Sequence, residues 1–159
     1  MKLKQCLVGL ALLGASIGAA FAVDLVSAQA AYDKGDFQEA FKQFLSLAEE
    51  GNTLAMSSTG VMYDMGQGTT KDYAKAIEWY KKSADAGNQF GQFNLGTMYY
   101  MGTGVEKDMI SACKWFALAT RQGNGQARIH MHICEKYLND AQRVEANRQA
   151  DEFVAQHKN

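Results

Sequence analysis

Cys113, His130 and Cys134, in the last third of this sequence, are side chains soft enough to hold a transition metal. Imidazole and thiolate are the usual ligands of zinc. His130 and Cys134, four residues apart, would share one face of a helix. His132 cannot join them, because residues two apart on a helix point about 200° apart. Structural zinc sites also bring their cysteines in C-x₂₋₄-C pairs, which this sequence lacks. Ordinary packing is the better account of the histidines, and no metal is expected. The cysteines have a second use, since both are equidistant from the middle of Gly123-Asn124, (113 + 134)/2 = 123.5. An antiparallel hairpin folded at that turn puts them opposite each other. Two readings stand: a disulfide, if the chain meets an oxidising compartment and the Cα atoms lie within about 4.4–6.8 Å, or two buried thiols acting as small hydrophobes.

Other patterns with chemical meaning are weaker. Gly14-Ala15-Ser16-Ile17-Gly18 spells the G-x-S-x-G of a nucleophile elbow, but it lies inside an apolar run and not between a strand and a helix. Gly66-x-Gly68 and Gly102-x-Gly104 resemble phosphate cradles. A phosphate loop runs straight into a helix N-terminus, whereas here Asp72 and Asp108 would oppose an anion. There is no P-loop, G-x-G-x-x-G, C-x-x-C or H-E-x-x-H. No catalytic residue and no cofactor are expected.

The elements that position these residues are legible because one pattern is written twice. Shifting the sequence by 36 residues lays Gly60 on Gly96, Met62-Tyr63 on Met98-Tyr99 and Met65-Gly66 on Met101-Gly102. Gly68 falls on Gly104, Lys71-Asp72 on Lys107-Asp108, Ala76 on Ala112, Trp79 on Trp115, and Gly87-Asn88 on Gly123-Asn124. A fixed period of this length marks stacked supersecondary units. Each unit reads as a helical hairpin, with apolar residues at helical spacing, a glycine stop, an aspartate N-cap and a second helix. Gly96 costs about 1 kcal/mol of helix propensity relative to Ala. Its recurrence as Gly60 predicts a close helix–helix approach, with Ala112 or Trp115 facing it. Proline is absent, which suits helices joined by glycine turns.

Leu95-Gly96-x-Met98-Tyr99-x-x-Gly102-x-Gly104-Val105-x-x-Asp108, followed by Ala112-x-x-Trp115-Phe116 and Gly123-Asn124, resembles a Sel1-like repeat, a relative of the tetratricopeptide repeat. The copy at Gly60–Asn88 matches nearly as well, with Thr59 in place of the usual Leu. The resemblance implies an all-α solenoid of stacked antiparallel helical hairpins and, for a secreted bacterial member, an adaptor or regulator in the envelope. Its partner would be another envelope protein or a peptide. It also brings two alternatives: binding or hydrolysis of β-lactams, and recognition of peptidoglycan or another glycan. The β-lactam-active relatives carry repeated cysteine pairs joining a second helix to the next unit's first helix. The matching positions here are Ala84 and Gln92, then Thr120 and Arg128, so that hallmark is missing.

The ends complete the organisation. Residues 1–22 have a basic start, an apolar run over Leu7–Ile17 and an A-x-A ending at Ala20-Phe21-Ala22, which reads as a signal peptide cleaved before Val23. Export to the periplasm or beyond follows, with no membrane insertion after cleavage. Removing 22 residues leaves 159 − 22 = 137, and the loss of Lys2 and Lys4 makes the balance 14 − 17 = −3. Nothing basic is concentrated enough for nucleic acid. Residues 23–52 read as an N-terminal tetratricopeptide-like capping hairpin, with Asp36 and Glu39 as a capping box. Repeats occupy 53–88 and 89–124. Residues 125–159 hold a degenerate unit and a closing helix from Asp140, capped by Asn139, in which His132 replaces the repeat glycine.

First helices line the inner curve of such solenoids. Positions 57, 61 and 64 read Ser57, Val61, Asp64, then Phe93, Thr97, Tyr100, then Ile129, Ile133, Lys136. The inner face thus grows apolar towards the C-terminal half. These side chains either pack between neighbouring helices or form a partner-binding patch of Phe93, Tyr100, Ile129 and Ile133.

Overall fold

The cap residues alternate in type along the chain, and that alternation explains how the units are joined. The computed structural model describes residues 25–157; the signal peptide expected over residues 1–22 lies outside the described residues. Those described form eight helices and no strand. After α1 (residues 25–33) come α2 (Phe37–Glu49), α3 (Thr53–Met65), α4 (Tyr73–Asp85), α5 (Gln89–Met101), α6 (Met109–Arg121), α7 (Gly125–Tyr137) and α8 (Asp140–Gln156). Asp36, Asp72 and Asp108 cap the second helices of the hairpins, α2, α4 and α6. Asn52, Asn88 and Asn124 cap the first helices, α3, α5 and α7. Both types accept a free N–H of the first turn. Only the amide can also donate. Asn88 Nδ2 donates to Thr53 Oγ1 at 3.2 Å, and Asn124 Nδ2 to the Gln89 carbonyl at 3.5 Å. Asn88 and Asn124 therefore each start their own helix and tie it to the start of the first helix one unit earlier.

The capping box expected at Asp36 is half present. Asp36 accepts from the Glu39 N–H at 3.2 Å, but the Glu39 carboxylate accepts from Gln43 instead. A complete box occurs at α8, where Asn139 and Gln142 satisfy each other's backbone N–H.

Helices α3 and α5 end on Gly66 and Gly102, both at φ 71°, a left-handed conformation that disfavours a Cβ. The glycines inside these helices have a different cause, which is space. A Cβ on Gly60 would lie 2.6 Å from the Tyr80 ring and 3.2 Å from the Ala76 carbonyl. One on Gly96 would lie 2.9 Å from the Phe116 ring and 3.2 Å from the Ala112 carbonyl. The close approach at Ala112 is as expected, but the ring belongs to Phe116. Trp115 points elsewhere and meets Phe153 of α8 edge-on at 5.2 Å.

The last unit is built differently. Where Tyr80 and Phe116 enter the glycine notch, the same spacing gives Glu152, and His132 stands at the position of the glycine. Neither half of the lock survives, and α8 lies along α6 instead of pairing along α7. Ala150, Phe153 and Val154 of α8 pack into the central core with Trp115 and Leu118, and Arg121 pairs with Asp151 at 2.7 Å. The His132 side chain is left 79% exposed. Three apolar clusters run through the stack: α1 to α3, the α3–α6 centre with α8, and α5 to α8.

Candidate partner-binding groove

The first helices share one face, and a groove opens on it between α1, α3 and α5. Its cavity of about 320 Å³ is lined by Leu25, Gln29, Leu54, Ser57, Val61 and Phe90, among others, and floored by buried Phe44 of α2. A second hollow of about 100 Å³ reaches Tyr32 and Met62 and shares Gln29, Phe44, Ser58 and Val61 with the first, so the two are continuous. None of the lining residues carries a charge. Some of its polar groups are fixed: Asn94 Nδ2 donates to Ser57 Oγ at 3.3 Å, and the Tyr32 hydroxyl donates to Gln67 at 2.9 Å. At the mouth, Leu54 and Phe90 stay 41% and 48% exposed. They are equivalent in consecutive repeats. Both belong to the sequence pattern at the period of 36, one turn before the stripe that begins at positions 57 and 93, and the reading of that stripe passed over them.

The residues named from sequence divide into two pairs. Phe93 is half-buried, its ring 5.9 Å from Phe116 and edge-on to His130 at 5.2 Å. Tyr100 is half-buried too, packed against the same core, with the Lys107 ammonium 5.5 Å from its ring. Ile129 is 60% exposed, and Ile133 is half-buried on the same helix. Neither isoleucine joins the residues packed on the core clusters.

Cys113 and Cys134 are bonded to each other, with Cα atoms 5.7 Å apart, so that α6 and α7 are stapled. His130 has its ring against Phe93 and Phe116 and its Nδ1 2.9 Å from the Gln126 carbonyl. The three soft ligands are thus occupied in packing and in one covalent bond. Displaced pKa values lie away from the groove, each with a structural cause. Burial pushes the Tyr80 phenol up, and the nearby Asp64 carboxylate adds to it. Burial pulls the Lys114 ammonium down. Burial raises the Asp108 carboxyl, but the bonds it accepts from Ser111 and Ile110 outweigh that and leave it lowered. Hydrogen bonds from Arg148 and Gln149 bring Glu145 down to about 2.

A stack of helical hairpins with an uncharged groove along its first helices defines a repeat-built α-solenoid of the kind that offers a surface to other proteins. The chain carries two Sel1 repeats: the Sel1 repeat model matches residues 53–88 and 89–124, the two copies read from the sequence. A similar solved structure is a protective antigen of uropathogenic Escherichia coli strains displaying an SLR fold, at TM-score 0.79 and 25% identity over 85% of this chain. Another is a Sel1 repeat protein from Oxalobacter formigenes, at TM-score 0.66 and 35% identity over 81% of this chain. This chain spans 30% of the first protein and 55% of the second. No curated protein sequence matches it.

Proposed function

We propose that this chain is an exported adaptor or regulator of the bacterial envelope that holds a segment of a partner protein in the α1–α3–α5 groove. Phe93, Tyr100, Ile129 and Ile133 continue the same inner face towards the C-terminus. The observation that carries the reading is the pair Leu54 and Phe90. They are large apolar side chains kept in water at equivalent positions on either side of a cavity lined without charge. Apolar surface held open beside a concavity is the usual mark of a binding site, and binding energy concentrates in a few such anchors. Export is supported by the leader-like residues 1–22 and by the Cys113–Cys134 bond, since disulfides persist in oxidising compartments. None of the described helices is long and apolar enough to cross a membrane.

The test is in-cell photocrosslinking from position 90, with position 78 on α4 as the outward-facing control, followed by mass spectrometry. A discrete partner should be captured from 90 and not from 78, and Phe90→Glu should reduce complex formation about tenfold without changing the helical spectrum. Equal capture from both positions, or none from 90, removes the proposal. Turnover of a chromogenic β-lactam by the purified protein would replace it with the enzymatic reading.

A further inference from the structure

The inner face ends on a surface that the groove does not use. Ile129, Ile133 and Tyr137 stand four residues apart on α7, so they climb one side of the helix over roughly 12 Å, drifting about 40° per step. Ile129 and Tyr137 are each 60% exposed, and none of the three is packed on a core cluster. Arg128, His132 and Lys136 form the neighbouring strip, one residue earlier at each step and all exposed. The acid on this helix, Glu135, lies 3.1 Å from His132 Nδ1, and α5 carries no charged residue. Helix α7 therefore bears a net 2 − 1 = +1, His neutral, on a chain whose formal charge is −1. α8 leaves this side of α7 open because it lies on α6.

We infer that α7 is a docking site for an acidic amphipathic helix of a partner protein. The inference rests on the adaptor reading and adds a second contact to it. The partner's apolar residues, repeating at i, i+4 and i+7, would lie along Ile129, Ile133 and Tyr137, and its carboxylates would face Arg128 and Lys136. A second copy of this chain fits poorly. Antiparallel pairing of two α7 stripes brings the same cations together. Three side chains also expose only a few hundred Å², against about 800 Å² per partner in a stable interface. A short helix with opposite charge needs less area and gains from the cations at low salt.

Fluorescence anisotropy with synthetic peptides tests this on the full exported chain. The probes are a 16-residue helix with a leucine stripe flanked by glutamates, the same helix flanked by lysines, and a scrambled glutamate version. The glutamate helix should bind at least tenfold more tightly than either control and should weaken as salt rises. The Arg128→Glu/Lys136→Glu variant should prefer the lysine helix, and Ile133→Glu should bind neither. If the double reversal fails to fold, Arg128→Gln/Lys136→Gln should bind both charged helices alike. Equal binding of both charged helices by the unaltered chain, binding of neither, or concentration-dependent dimerisation in sedimentation overturns the inference. Capture from position 90 without peptide discrimination removes the α7 site and leaves the adaptor. Peptide discrimination without capture from position 90 keeps the α7 site and removes the groove as the contact.

Discussion

Thr59 occupies the place where the second repeat has Leu95, and it is the clearest point at which this sequence works against its own fold. The residue is fully buried, 0% exposed, and its Oγ1 has no hydrogen-bond partner among the described residues. A buried hydroxyl left unpaired costs about 1–3 kcal/mol. Thr59→Val removes the hydroxyl while keeping the β-branch and nearly the same volume, so neither the rotamer nor the packing has to change. We expect a stabilisation of about 1–2 kcal/mol, which for a chain of this length raises Tm by roughly 3–6 °C. Leucine, although it matches the repeat pattern, adds volume to a filled site and is the poorer choice. Thr97 supplies the control, because its Oγ1 donates to the Phe93 carbonyl at 3.0 Å. Thr97→Val loses a bond that exists and should be neutral or destabilising by up to about 1 kcal/mol. Thermal melts of the three proteins, followed by helical circular dichroism and checked in urea, decide the matter. A Thr59→Val protein no more stable than the parent, or shifted no more than Thr97→Val, refutes the reasoning.

Gly96→Leu should destabilise by about 1–3 kcal/mol or more, since the side chain meets the Phe116 ring and the Ala112 carbonyl. His132→Leu should leave the melt nearly unchanged, and equal shifts for the two would contradict the loss of the glycine notch in the last unit. Thiol counting on denatured, non-reduced protein should find no free sulfhydryl at Cys113 or Cys134. Replacing both by serine should cost about 3 kcal/mol in the chain-entropy model for a loop of this size, and an unchanged urea midpoint would count against it. Asp108 and Glu145 have lowered folded-state pKa values, so their stabilisation is fully present above the unfolded pKa and is lost as pH falls through the folded one. Tm should therefore decline from about pH 5 towards pH 2, and Asp108→Asn should flatten that decline. An identical acid profile for the variant would remove Asp108 from the account.

Much of the architecture was legible because a repeat states each structural need twice. Gly60 with Gly96 and Asp72 with Asp108 each separate a requirement from an accident of one site. What was harder to read came from positions where the meaning depends on a neighbour. Trp115 and Phe116 are both large aromatics, and only the rotation of α6 decides which enters the notch at Gly96. Asp36 and Glu39 have the spacing of a capping box, but Gln43, four residues on, competes for the same carboxylate. The groove escaped notice because its walls come from α1, α3 and α5, which no single helical stripe reveals. Phe93 and Tyr100 look like surface anchors beside Ser57 and Asp64. Their differing partners, Phe116, His130 and Lys107, account for their half-burial.

The asparagine ties have a consequence for how such a chain can change length. Asn124 reaches the main-chain carbonyl of Gln89, a group that every residue possesses, and Asn88 reaches only a hydroxyl at the head of α3. The asparagine tie itself asks at most a hydroxyl of the side chains on its far side. A tandem duplication of residues 53–88, spliced between Asn88 and Gln89, would present the same cap, the same glycine notch and the same tie at every seam. The disulfide and α8 would travel unchanged with the last unit. The protein's ends are specialised and its middle is portable, so longer descendants need only copy the interior.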